Sequence, residues 1–251
     1  MRTTGLILGA LALCAAPVRA GEVLVPLSAG VAADGTTYTT RVWVTNVGSA
    51  ARRWTPTFIT PGVDGTKAAA GSPLTVNPGA TVPVTNLAPA GKGGMLYVNG
   101  APQLVITARL EGTGKDGSLR AAVAGPLVTG RDLAAGGSTV QLHGLSQKQG
   151  GLTTDLYLIN AARQAAQCTV SAFGADGGTI ATAVRYTLPA LSLKTVEGAL
   201  AQFGATSIDE ARIAVSCDQA FYAYARVYKA GSGELNVMTP PRSLGRPVTV
   251  P

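Results

Sequence analysis

The chain has 251 residues, 46% of them hydrophobic, 13% charged and 5% aromatic, with a formal net charge of +7. That apolar content is enough for a packed core and argues against disorder. A charged fraction about half the usual quarter argues against helix bundles and coiled coils, and a single histidine, His143, argues against histidine-based catalysis and multi-histidine metal sites.

Residues 1–20 (MRTTGLILGALALCAAPVRA) begin with a positive charge at Arg2, continue as an apolar run and close on Val18-Arg19-Ala20. This is the grammar of an export signal, with cleavage expected after Ala20. The run is too short to span a bilayer, and no later segment reaches that length. Leu13 is too bulky for a lipobox at Cys14. Removing the signal takes away Arg2, Arg19 and Cys14, so Cys168 and Cys217 remain as an even pair. In an oxidising compartment such a pair reads as one disulfide. Apart from Arg52-Arg53 there is no basic cluster, so the charge speaks for solubility and not for nucleic acid.

From residue 24 onward the elements read as strands. Val42 and Val44 share a face in 38–46 (YTTRVWVTN), and Leu104, Ile106, Ala108 and Leu110 share one in 104–112. This alternation of period two marks strands with one buried face. Asp34-Gly35, Asp64-Gly65, Asn77-Pro78-Gly79, Asp116-Gly117 and Asp176-Gly177 punctuate them as turns. Segments 196–204 and 208–212 alone look briefly helical.

The order of these elements repeats. LTTDLYLIN at 152–160 matches YTTRVWVTN at an offset of 114, and FYAYARVYKAG from Phe221 matches LVITARLEG, placing Arg226 opposite Arg109. LVPLSAG from Leu24 and VQLHGLS from Val140 match loosely. The reading is an all-β chain of two tandem immunoglobulin-like antiparallel β-sandwich domains after a cleaved signal peptide. Residues 21–128 form the first domain, 129–138 a linker, 139–242 the second domain and 243–251 a tail. About seven strands per hundred residues, with frequent turns, fits such a sandwich.

Counted from the matched anchors, Trp54 stands where the second copy has Cys168, and Gly100 where it has Cys217. An indole over a glycine in one copy and a disulfide in the other are expected to bridge the same gap across the core. The Cys168 and Cys217 Cα atoms are then expected about 4.4–6.8 Å apart. No C-x-x-C or partnering histidine supports a redox or metal role.

No catalytic, cofactor or metal site is expected. His143 has no G-x-S-x-G elbow, the Asp-Gly pairs lack calcium-loop spacing, the glycines at 91–94 do not open a phosphate cradle, and no acidic residue stands out from apolar surroundings. What stands out is a stripe on the alternate positions of 221–228: Tyr222, Tyr224, Arg226 and Tyr228, joined by Tyr157. Read as the outward face of the strand, these residues offer flat amphipathic area to a sugar, a peptide or a protein. The alternative is a cross-strand aromatic ladder, or packing between the two domains, with no ligand involved.

The G-T-x-Y-x-T-x-Φ-x-Φ-x-N pattern of 35–46, echoed at 152–160 and followed by Pro78-Gly79, resembles exported bacterial immunoglobulin-like modules of the CARDB-like kind. That resemblance implies a non-enzymatic interaction or structural protein of the envelope or extracellular space; the partner expected is a protein or polysaccharide at the cell surface, while charge and segment length speak against nucleic acid and a transmembrane anchor. Segments 42–59 and 74–84 also resemble the first domain of periplasmic pilus chaperones, which implies a chaperone for surface-fibre subunits. Against that, 119–128 is too rich in Ala, Gly and Pro for a strand that completes a pilin. A carbohydrate-active enzyme or its binding accessory is the third reading.

Overall fold

The computed structural model describes residues 22–31, 35–84, 88, 92–99, 103–229 and 234–240. The expected signal peptide, Asp34, Gly91, Gly100 and the tail at 243–251 lie outside the described residues.

The fold is all-β and antiparallel. Its N-terminal half comprises β1 (Glu22–Leu27), β2 (Ala29–Val31), β3 (Thr37–Asn46), β4 (Arg52–Trp54), β5 (Pro56–Ile59), β6 (Leu74–Val76), β7 (Thr81–Val84), β8 (Gly94–Asn99), β9 (Leu104–Thr113), β10 (Leu119–Ala124) and β11 (Val128–Thr129). The C-terminal half comprises β12 (Thr139–Lys148), β13 (Leu152–Asn160), β14 (Ala166–Phe173), β15 (Thr179–Leu188), β16 (Ser192–Val196), the one-turn helix α1 (Ala199–Gln202), β17 (Ser207–Cys217), β18 (Phe221–Lys229) and β19 (Leu235–Met238).

Four main sheets result. Sheet 1 has the order β10-β9-β3-β2 with β7 also paired to β3; sheet 2 runs β11-β1-β8-β5; sheet 3 runs β16-β13-β18-β19; sheet 4 runs β12-β17-β14-β15. The strands β4 and β6 form a short separate ribbon. The neighbours β1-β8-β5 of sheet 2 recur as β12-β17-β14 in sheet 4, and β10-β9-β3-β7 recurs as β19-β18-β13-β16. The matched segments of the sequence therefore occupy matched places in the sheets.

Strand alternation explains how the sheets stack. Val25, Leu27, Leu96 and Val98 of sheet 2 pack with Val42, Val44, Ile106 and Ala108 of sheet 1, together with Trp54 and Val76. Leu156, Leu158, Phe221, Ala223 and Ala225 of sheet 3 pack with Leu142, Val170, Ile213 and Val215 of sheet 4. The opposite faces of the two middle sheets meet each other: Leu24, Ile59 and Met95 share a cluster with Tyr157, Ile159, Leu193, Tyr222 and Tyr224. The layers thus lie in the order sheet 1, sheet 2, sheet 3, sheet 4. A sheet covered on both sides needs continuous apolar strands, and β13 is buried from Thr154 to Asn160 without a break.

Two expectations change. Residues 208–212 belong to β17 and not to a helix; the pairing with β12 shifts register there, where Glu210 has a φ of 55. Cys168 and Cys217 are bonded, but within one sheet: they face each other in register on β14 and β17, with Cα atoms 4.0 Å apart. Opposed residues of an antiparallel pair already lie about 4.5 Å apart, which accounts for a separation below the range expected of a link between sheets. Trp54 is buried in the core between sheets 1 and 2.

Candidate functional site

The two middle sheets meet through the packed cluster of Leu24, Ile59, Met95, Tyr157, Tyr222 and Tyr224 and through polar contacts at two sides. In the centre, Tyr157 and Tyr224 stand opposite each other on β13 and β18, and their rings stack at 4.5 Å with an interplanar angle of 7°. Both are buried, and loss of hydration raises their pKa values, Tyr157 to about 12 and Tyr224 well above the ordinary tyrosine. At one side the turn after β5 reaches across. Gly62 N donates to Leu193 O at 2.8 Å and Gly65 N to Ala190 O at 2.9 Å. Gly65 is required by close approach, since a Cβ there would lie 2.1 Å from Leu191 O. Elsewhere Tyr97 OH donates to Glu22 Oε1 at 2.5 Å, and Arg163 Nη2 lies 3.4 Å from the same oxygen.

The polar centre of the junction is Asp155, only 1% exposed, opposite Arg226 in the β13–β18 register. Its Oδ2 accepts from Arg226 Nη2 at 2.5 Å and its Oδ1 from Gly198 N at 2.9 Å. Gly198 has φ 55, a left-handed backbone suited to glycine, and it caps α1. The guanidinium lies among three rings, 4.7 Å from the Tyr228 centroid, 5.2 Å from Tyr38 and 5.8 Å from Tyr157. Tyr38 comes from β3, so this aromatic box spans both halves; it meets Tyr228 edge to face at 5.7 Å. A charge pair taken out of water needs close geometry and further hydrogen bonds to offset its lost hydration. Here both carboxylate oxygens are engaged, while Arg226 Nε has no partner among the described residues.

Beside this pair opens a cleft of about 420 Å³ between the halves. Ser28, Tyr38, Gly62 and Gly94 line it from the N-terminal half, and Asp155, Tyr157, Lys194, Thr195, Glu197, Arg226 and Tyr228 from the C-terminal half. A second cleft, about 960 Å³, lies along the connection between the halves, lined by Leu127, Leu133, Phe221, Tyr222 and Val237 together with Arg131 and Asp132. The first gathers two carboxylates, two cations and three tyrosines, a mixture of converging polar groups and aromatic walls that suits a small molecule.

The expected stripe is therefore divided. Tyr222, Tyr224 and Tyr157 are buried against sheet 2, because the strands that carry them are covered on both sides, and only edges of Tyr157 and Tyr222 reach the cleft walls. Arg226 and Tyr228 keep partial exposure and line the cleft. The positions matching the stripe on sheet 1 tell the same story in reverse. Val105, Thr107 and Arg109 are exposed there, and Arg41 and Arg109, opposite each other in register, are both bonded to Glu111. Where Arg41 stands in one copy, Asp155 stands in the other.

Asp155 corrects the expectation that no acidic residue sits in apolar surroundings. The signal was present as a lone aspartate inside a buried strand paired with the Arg226 strand, visible only once β13 and β18 are known to be neighbours. Tyr38, Lys194 and Glu197 carried no sequence signal, since the junction brings them together. Among the described residues no group of three or more His, Cys, Asp or Glu residues is placed to hold a metal, and no helix is long and apolar enough to cross a membrane. His143 lies exposed on β12, away from the cleft lining.

No family model matches this chain, and no curated protein matches it. Among solved structures it has a likeness to the Arthrobacter globiformis T6 isomalto-dextranase complexed with panose, at 12% identity and a TM-score of 0.24. That match covers 86% of this chain and 36% of the enzyme's. A likeness this distant carries no argument about fold or activity.

Proposed function

We propose that the protein is an exported, non-catalytic interaction protein of the cell envelope or extracellular space. Its two halves are immunoglobulin-like sandwiches descended from one duplicated module, held as one body around a binding cleft. The single observation that supports binding over turnover is the state of the acids at the cleft. Asp155, the buried one, has both carboxylate oxygens engaged by Arg226 and Gly198. A general acid or base must instead be free to take and return a proton. Glu197, the other carboxylate of the lining, is exposed to water. The Cys168–Cys217 bond supports residence in an oxidising compartment.

The test is sedimentation of the labelled full-length chain with washed cell envelopes. Wild type is expected to sediment, and Tyr228→Ser and Lys194→Ala to lose most of that retention. Wild type remaining in the supernatant, or variants sedimenting as wild type does, would refute the reading.

A further inference from the structure

We infer that the cleft between the halves takes a short, uncharged oligosaccharide; this rests on the proposed binding role and names the ligand class of that same site. The argument begins with charge. The ionisable side chains of the lining are Asp155, Arg226, Lys194 and Glu197, besides tyrosines. Asp155 and Arg226 neutralise each other at 2.5 Å, and Lys194 and Glu197 supply one charge of each sign. A site with no net charge gives an anionic or cationic ligand no net electrostatic attraction.

Shape and wall chemistry narrow the class further. A volume of about 420 Å³ falls in the range of small-molecule sites, roughly 300–1,000 Å³. Tyr228 is the partly exposed ring of the lining, while Tyr38 and Tyr157 are buried. Aromatic rings carrying a polar tip suit a ligand with apolar C–H faces and hydroxyl edges. The hydroxyl of Thr195, the ammonium of Lys194 and the carboxylate of Glu197 give donors and acceptors together, as hydroxyl groups require. The buried Arg226 Nε adds a donor with no partner among the described residues. The walls come from both halves and are held by the Gly62 and Gly65 bonds, so the site is formed before the ligand arrives.

The experiment is an amide chemical-shift titration of the full-length protein. Maltotriose, cellotriose and chitotriose serve as neutral probes, trigalacturonate and a zwitterionic dipeptide as charged comparators. At least one neutral trisaccharide is expected to shift the Gly62, Gly94 and Thr195 amides with saturation by about 10 mM, ten times a millimolar Kd. Tyr228→Ser is expected to weaken that binding at least tenfold. Trp43→Ser, on the far face of sheet 1, is expected to leave it unchanged. No shift of these amides by any neutral probe overturns the inference, as does tighter binding of trigalacturonate or the dipeptide, or equal binding by Tyr228→Ser. Hydrolysis of a bound trisaccharide would refute the non-catalytic reading while leaving the site standing. Envelope retention without trisaccharide binding would refute the sugar and leave that reading intact.

Discussion

Replacing Asp155 by alanine isolates the least solvated charge at the junction. The carboxylate is 1% exposed and the Arg226 side chain 13%, so removing the acid leaves a guanidinium in the interior with its 2.5 Å partner gone. Breaking a buried pair from one side costs about 3–5 kcal/mol. The three rings around Arg226 stay in place, each worth about 0.5–2 kcal/mol to a cation, which puts the expected loss near the lower end, about 3 kcal/mol. Gly198 N also loses its acceptor, so the turn before α1 is expected to loosen. The double variant Asp155→Leu/Arg226→Met removes both charges and is expected to lie within about 1 kcal/mol of wild type, or above it. Urea unfolding of wild type, Asp155→Ala, Arg226→Met and Asp155→Ala/Arg226→Met closes the cycle, with an expected coupling of at least about 2 kcal/mol. A loss below about 1 kcal/mol in Asp155→Ala, or strict additivity across the cycle, would refute the placement of this pair in the interior.

Three further outcomes follow from other parts of the fold. Replacing Cys168 and Cys217 by serine opens a loop with a sequence separation of 49 and is expected to cost about 4 kcal/mol by chain entropy; equal urea midpoints for the variant and the oxidised protein would contradict this. Gly65→Ala places a Cβ 2.1 Å from Leu191 O, and the forced shift is expected to cost about 1–3 kcal/mol, seen as a lowered melting temperature, whereas Gly62→Ala meets no atom within 4 Å and costs only its left-handed φ of 73. Tyr157 stays protonated to about 12 when folded and ionises near 10.0 when unfolded. Stability is therefore complete below pH 10 and falls as pH rises towards 12, by about 3 kcal/mol from this group. An alkaline tyrosinate titration in which all the tyrosines ionise together near 10 would contradict it.

The sheet content was legible because a strand with one covered face writes its alternation directly into the chain: Val42 with Val44, Leu156 with Leu158, Cys168 with Val170. The repeat was legible for the same reason, since the matched segments keep the same phase. What alternation states is which residues share a face, not what lies over that face. Tyr222 and Tyr224 share one, as read, yet whether water or sheet 2 covers it depends on Leu24, Ile59 and Met95, more than a hundred residues away. The cysteines were legible as a pair and as inward residues, but phase alone does not distinguish a partner across the core from one on the next strand. The cleft was least legible. Tyr38 lies on β3 while Lys194 and Glu197 lie on and just after β16, and the packing of one half on the other brings these two segments to one cleft.

The central claim, that sheets 2 and 3 are fastened face to face, is tested most directly by hydrogen exchange at two amides. Gly62 and Gly65 lie in a turn of the N-terminal half, and their acceptors, Leu193 O and Ala190 O, lie in the C-terminal half. Protection of both amides, comparable to that of the β13 and β18 core amides, is predicted for the native protein. Exchange at the rate of a solvated turn, with β13 and β18 still protected, would contradict the stacked arrangement and the cleft built upon it.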